Sequence, residues 1–288
     1  MEKYYRFAGI DFLISTQDGW MYEDDRMLAP FRVDRVTDPH RFHFDFVEAL
    51  TPPTGTLAAT MDSFVEFRES DCRIRCIGAI NGDWQHAYIR VFSRGKDHTV
   101  QLKRSEYSVG LGPKAVLNAL QAEHLIACNH GFVFHCAYID REGKAVLFTA
   151  PSETGKSTQA DLWHQYRHAE IINGDRAAIR LVNGQLMAEG IPFAGSSQYC
   201  KNRSLPLEAI VYLAQAPQTT IRQMRGAEAF RRVWEGISVN TWDKADMSAV
   251  MDTVTQLVQQ IPVYYMPCTP DESAVNTLEQ ALRKVETQ

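Results

Sequence analysis

Ala145-Val146-Leu147-Phe148-Thr149-Ala150-Pro151-Ser152-Glu153-Thr154-Gly155-Lys156-Ser157-Thr158-Gln159-Ala160-Asp161-Leu162-Trp163 passes from an apolar run through a short polar loop into what reads as the first turns of a helix. The order is strand, loop, helix. An anion fits there because a helix N-terminus presents unpaired N–H groups and the positive end of the macrodipole. Within the loop, residues 150–157 meet the pattern G-x-x-x-x-G-K-[ST] at every fixed position but the first, where Ala150 replaces glycine. That replacement calls for a loop that turns at residue 150 with ordinary dihedrals, aided by Pro151. On this pattern Lys156 reaches the β- and γ-phosphates of a nucleotide and the Ser157 hydroxyl holds Mg²⁺. Ser152, Glu153, Thr154, Gly155, Lys156, Ser157 and Thr158 are the candidate nucleotide-binding residues.

Two further residues join the loop. Residues 169–175, Ala-Glu-Ile-Ile-Asn-Gly-Asp, read as an apolar strand ending in a carboxylate. Such a strand end can place Asp175 against the metal at a ligand crevice. Upstream, residues 132–139 and 144–148 read as two strands joined by Asp140-Arg141-Glu142-Gly143, which sets His135 on the strand beside the one delivering the loop. Residues 190–197, Gly-Ile-Pro-Phe-Ala-Gly-Ser-Ser, form a Gly- and Ser-rich loop followed by Lys201-Asn202-Arg203. This loop either brings cations to a phosphoryl group or is a surface connection; Lys201 and Arg203 are its cations.

Around this centre, residues 1–112 read as an antiparallel β domain, with strands at 7–14, 41–46, 63–67, 73–80, 87–92 and 99–102 and a tight turn at Asn81-Gly82-Asp83. Arg41, His43 and Asp45 alternate with Phe42, Phe44 and Phe46, the pattern of a solvated strand face opposite an aromatic one; a metal reading with His40 is not favoured. Residues 113–129 show helical spacing. Later come strands at 176–182, 209–214 and 263–267, with helices at 227–235, 246–260 and 271–283.

The composition excludes several classes. A formal net charge of -5 and a pI near 6.0 leave no basic tract for nucleic acid. No apolar stretch is long enough for a transmembrane helix, and residues 1–6 lack a signal-peptide pattern, so a cytoplasmic protein without a membrane partner is expected. The six cysteines show no C-x-x-C pair, and reduced thiols are expected.

With these motifs in place, residues 131–278 resemble the HPr kinase/phosphorylase and phosphoenolpyruvate carboxykinase superfamily of P-loop proteins. The likeness rests on Phe134-His135-Cys136-Ala137-Tyr138-Ile139-Asp140, on residues 150–158, on Ile172-Asn173-Gly174-Asp175, and more weakly on residues 206–213. It implies an α/β P-loop kinase domain at 113–288 behind the β-rich domain at 1–112. Asp175, His135 and Lys156 would be catalytic, Ser157 and Asp175 would be the metal ligands, and ATP and Mg²⁺ the cofactors. The resemblance favours Asp175 over His135 as the base, and the family often forms rings, which allows a homo-oligomer. Thr158 stands where the HPr-modifying kinases carry a glutamate, and Gly174-Asp175 replaces a pair of aspartates. The chain is therefore similar to divergent members that phosphorylate a serine of a peptide, and the expected acceptor is a hydroxyl of a peptide, protein or small molecule. The alternatives are a nucleotide-binding sensor or scaffold without catalysis, and carboxykinase-like chemistry on a small acid.

Overall fold

The computed structural model describes residues 2–16, 27–105, 118–193, 195 and 199–286. The chain divides into two compact units, Met1–Leu125 and Ile126–Gln288.

Among the described residues, the first unit is built on one nine-stranded sheet. Its strands are β1 (Glu2–Phe7), β2 (Ile10–Thr16), β3 (Arg32–Val33), β4 (His40–Val47), β5 (Thr56–Met61), β6 (Phe64–Glu69), β7 (Cys72–Ile77), β8 (Ile89–Arg94) and β9 (Asp97–Lys103), in the order β3-β1-β2-β4-β9-β8-β7-β6-β5. The expected strand at 7–14 is in fact a hairpin. Ala8 and Gly9 both take positive φ, which turns the chain in two residues and pairs Phe7 with Ile10. The sheet is also mixed rather than antiparallel, because β4 runs parallel to both β2 and β9. Asn81-Gly82 makes the expected tight turn, with Ile80 bridging Asp83. His43 and Asp45 share the partly exposed face of β4, whereas His40 lies on the opposite face with Phe42 and meets His98 at 3.0 Å.

The division between units falls inside a short helix, α1 (Ala122–Cys128). The continuous helix expected at 113–129 is interrupted by Gln121, whose φ is positive; residues 113–117 lie outside the described residues.

The second unit is built on a ten-stranded sheet. Its strands are β10 (Gly131–His135), β11 (Ala137–Arg141), β12 (Lys144–Thr149), β13 (Glu170–Asn173), β14 (Arg176–Val182), β15 (Gln185–Gly190), β16 (Ser204–Gln215), β17 (Arg222–Met224), β18 (Ile237–Ser238) and β19 (Val263–Cys268). The main path runs β13-β11-β12-β16-β15-β14-β10-β18, while β19 pairs with β16 and β17. The long β16 joins two sections: its first residues pair with β15, its later ones with β12 and β19. The strand expected at 132–139 is therefore two strands, broken at Cys136. Cys136 N–H leaves the ladder to donate to the Asp175 carbonyl at 3.0 Å, and β10 and β11 go to different sections.

Helices α2 (Lys156–Arg167), α3 (Gly226–Trp234), α4 (Lys244–Gln260) and α5 (Glu272–Glu286) complete the unit. Val146 and Phe148 of β12 point into a core with Trp163 of α2 and Leu278 of α5. Ala145 and Leu147, alternating with them, point into another core with Val233 of α3 and Val254 of α4. Burial on both faces is why β12 and the middle of β16 read as unbroken apolar runs.

Direction along the strands positions the site. β16 is parallel to β12 and to β19, and two antiparallel steps through β11 give β13 the same direction as β12. The loops that follow β12, β13, β16 and β19 thus leave from one edge, the carboxyl edge where α/β sheets gather their ligands.

Candidate active site

The loop after β12 turns through two residues of positive φ, Glu153 (φ 62) and Gly155 (φ 116). Ala150 has no positive φ and is buried, as its side chain requires. Gly155 is the N-cap of α2 without a side-chain cap, so the helix opens on backbone N–H groups. A Cβ at Gly155 would touch nothing within 4 Å; glycine is needed there for the dihedral and leaves room above the helix. Lys156 is buried, and its ammonium donates to the carbonyls of Ala150 at 3.1 Å and Pro151 at 3.3 Å. Burial pushes its pKa down, and the carboxylate of Asp175 opposes that shift. Ser152, Ser157 and Thr158 are exposed.

Asp175 stands just past the end of β13 and is brought to His135. Nε2 of His135 lies 3.5 Å from Oδ1 of Asp175, and Nε of Arg176 lies 3.4 Å from Oδ2. Burial raises the Asp175 pKa, but the hydrogen bond and charge of His135, with Arg176, outweigh it and leave the carboxyl below its ordinary value. His135 does not reach Asp175 from the strand beside the loop, as the sequence suggests. β10 pairs with β14 and β18, and His135 faces Arg176 across the β10–β14 ladder. It is nonetheless tied to the loop strand, since Thr149 Oγ1 donates to its carbonyl at 2.9 Å.

The residue that organises this corner is Asn173, to which the sequence assigns no role of its own. It is fully buried. Its Oδ1 accepts from the N–H groups of Asp175 (2.9 Å) and Arg176 (3.0 Å), and its Nδ2 donates to the carbonyls of Ile191 (3.2 Å) and Phe193 (2.6 Å). One side chain thereby fixes Asp175 and the start of the Gly- and Ser-rich loop. That loop presses on the carboxylate: a Cβ at Gly195 would lie 3.0 Å from Cβ, Cγ and Oδ1 of Asp175, so only glycine fits without a shift. Ala194, Ser196 and Ser197 lie outside the described residues. Arg176 donates to Ser238 Oγ at 2.7 Å and lies 4.7 Å from the centre of the Phe193 ring. Lys201 and Arg203 hold Glu170 (2.7 Å) and Asp140 (3.1 Å), the pairings of a surface connection.

A cleft of about 370 Å³ adjoins the loop, lined by Glu153 to Gly155, Thr158 and Gln159, and, at and just past the ends of β16 and β19, by Leu213, Gln215 and Ala216 and by Cys268 to Pro270. No sequence signal marked it, because its walls meet only in three dimensions.

The residues suit a magnesium-nucleotide complex. Asp175 and Ser157 offer the hard oxygen donors that Mg²⁺ takes, and Lys156 keeps a buried cation at the mouth of the loop.

Among proteins of known family, residues 115–283 match the model described as SynChlorMet cassette protein ScmC, more than half of the 288-residue chain. No match was found among the curated proteins. Among solved structures, the Hpr(Ser) kinase/phosphatase from Coxiella burnetii is similar over 54% of this chain and 94% of its own, at 12% identity and a TM-score of 0.33, too slight a likeness to bear on the site. Among the described residues no helix is long and apolar enough to cross a membrane.

Proposed function

The chain belongs to the SynChlorMet cassette protein ScmC family, and for a member with this site we propose ATP-dependent transfer of the γ-phosphoryl group to a hydroxyl of a peptide, protein or small molecule. The observation that carries the reading is a buried lysine at an uncapped helix start, with a carboxylate just past the end of β13 that a histidine approaches to 3.5 Å. The sequence resemblance to the HPr kinase superfamily supports it.

Phosphoryl transfer asks for positioning and charge stabilisation more than covalent help. In this reading the amides of residues 152–157 cradle the phosphates. Lys156 exchanges its carbonyl partners for phosphate oxygens, so a nucleotide meets a cation already desolvated and aimed. Ser157 and Asp175 would hold Mg²⁺, which would neutralise phosphate charge when bound. The acceptor oxygen forms its bond to the γ-phosphorus as the bond to the bridging oxygen breaks, and ADP leaves. The acceptor proton passes to Asp175, while His135 and Asn173 hold that carboxylate in place.

Incubation with γ-labelled ATP, Mg²⁺ and a cell extract is expected to label an acceptor. Lys156→Ala and Asp175→Asn should each lower the label by roughly a hundredfold or more. Full activity of Lys156→Ala would overturn the reading. A nucleotide sensor is the second reading, favoured by the contacts of Asp175 with both His135 and Arg176; it predicts ATP binding with no labelled product.

A further inference from the structure

The cleft beside the loop includes Glu153, Thr154, Gly155 and Thr158 in its lining but none of His135, Lys156 and Asp175. A phosphate chain seated with its terminal group at Lys156 and Asp175 would therefore leave the loop toward the cleft at its other end. Leu213, Ala216 and Pro270 give the cleft apolar surface. Gln215 closes one rim by donating to the Glu153 carbonyl at 3.4 Å.

Gln159 stands out among the lining residues. It sits on α2 three residues beyond Lys156 and is only 2% exposed. Its Nε2 donates to the weak acceptor Cys268 Sγ at 3.4 Å, and its Oε1 is buried without a hydrogen-bond partner. A buried acceptor left unmatched is destabilising, a loss that a leucine at this position would avoid. The amide is therefore a lining group with hydrogen-bonding capacity to spare: its oxygen is closed off as it stands, and a turn of the terminal torsion would present it to a ligand N–H or O–H in the cleft.

We propose that the cleft holds the nucleoside of the nucleotide, with Gln159 as the side chain that hydrogen-bonds it. This rests on the reading of the loop as a phosphate site. A flat apolar ring system bearing N–H and O–H donors matches apolar walls with one unmatched acceptor, and the volume lies in the range of small-molecule sites. Gln159 turns about its terminal amide torsion to meet the ligand.

The test is calorimetric titration of the full chain with Mg²⁺-ATP and with Mg²⁺-tripolyphosphate, which carries the phosphates without the nucleoside. The wild type is expected to bind ATP at least about tenfold more tightly than tripolyphosphate. Gln159→Leu should lose most of that advantage, and Ala216→Trp, which fills the cleft, all of it. Both variants should keep wild-type affinity for tripolyphosphate, which also reports that they are folded. Equal affinities of the wild type for the two ligands, or an undiminished ATP advantage in Ala216→Trp, would overturn the cleft assignment and leave the loop reading standing. Failure of the wild type to bind either ligand would overturn both.

Discussion

Asn173 shows how much of the site rests on one amide. Its four hydrogen bonds join the end of β13, the start of β14 and the loop after β15, and every partner is a backbone group. Asn173→Ala removes both halves of the amide and strands the partners it served, at about 1–3 kcal/mol for each group left unmatched in the interior. Asn173→Ala is therefore expected to lower the urea midpoint and to reduce the proposed phosphoryl transfer by more than it reduces nucleotide binding, because Asp175 loses its anchor while the loop after β12 is untouched. A variant with wild-type urea midpoint and turnover would contradict this. The candidate loop was legible because its residues are contiguous. Asn173 was not, because its four partners come from two stretches that only folding brings together.

At the scale of elements, α2 is held by what it buries. Trp163 is 1% exposed and packs in the core formed by β11, β12, β16 and α5. Trp163→Ala should destabilise the protein by about 3–5 kcal/mol, measured by urea unfolding, and loosen the helix whose first turn carries Lys156. A loss below about 1 kcal/mol would show that the helix is held by other contacts. In the first unit, His40 and His98 pair at 3.0 Å, with His98 stacked on Phe42 at 4.0 Å. Burial pushes His40 down to about 4 and His98 down to about 3. The unfolded chain takes up protons near the ordinary value of 6.5 and the folded one does not, so stability is full above 6.5 and falls as pH drops toward the folded values. Urea midpoints between pH 7.5 and 4.5 should fall, and should fall less for His98→Gln; equal slopes would contradict the pairing.

Across the whole molecule, sequence reading succeeded where structure is local and missed what is not. The β12 and β16 runs, the Asn81-Gly82 turn and the helices from α3 to α5 follow from apolar spacing and turn residues. The Ala8-Gly9 turn escaped because alanine seldom takes a positive φ. The break at Cys136 escaped because the chain is buried on both sides of it. The parallel placement of β4 is set by which distant strands meet, and β5 lies at an edge where alternation has no buried face to report. The cleft beside the loop is a product of the same convergence, since β12, β16 and β19 bring their carboxyl ends together. If those ends form a nucleotide site, binding must need both the loop lysine and the metal. Isothermal titration of the intact protein with ATP tests this most directly. The expected result is saturable uptake of one nucleotide per chain in the presence of Mg²⁺, abolished by chelation and by Lys156→Ala; no uptake of ATP, or uptake unchanged in that variant, would contradict it.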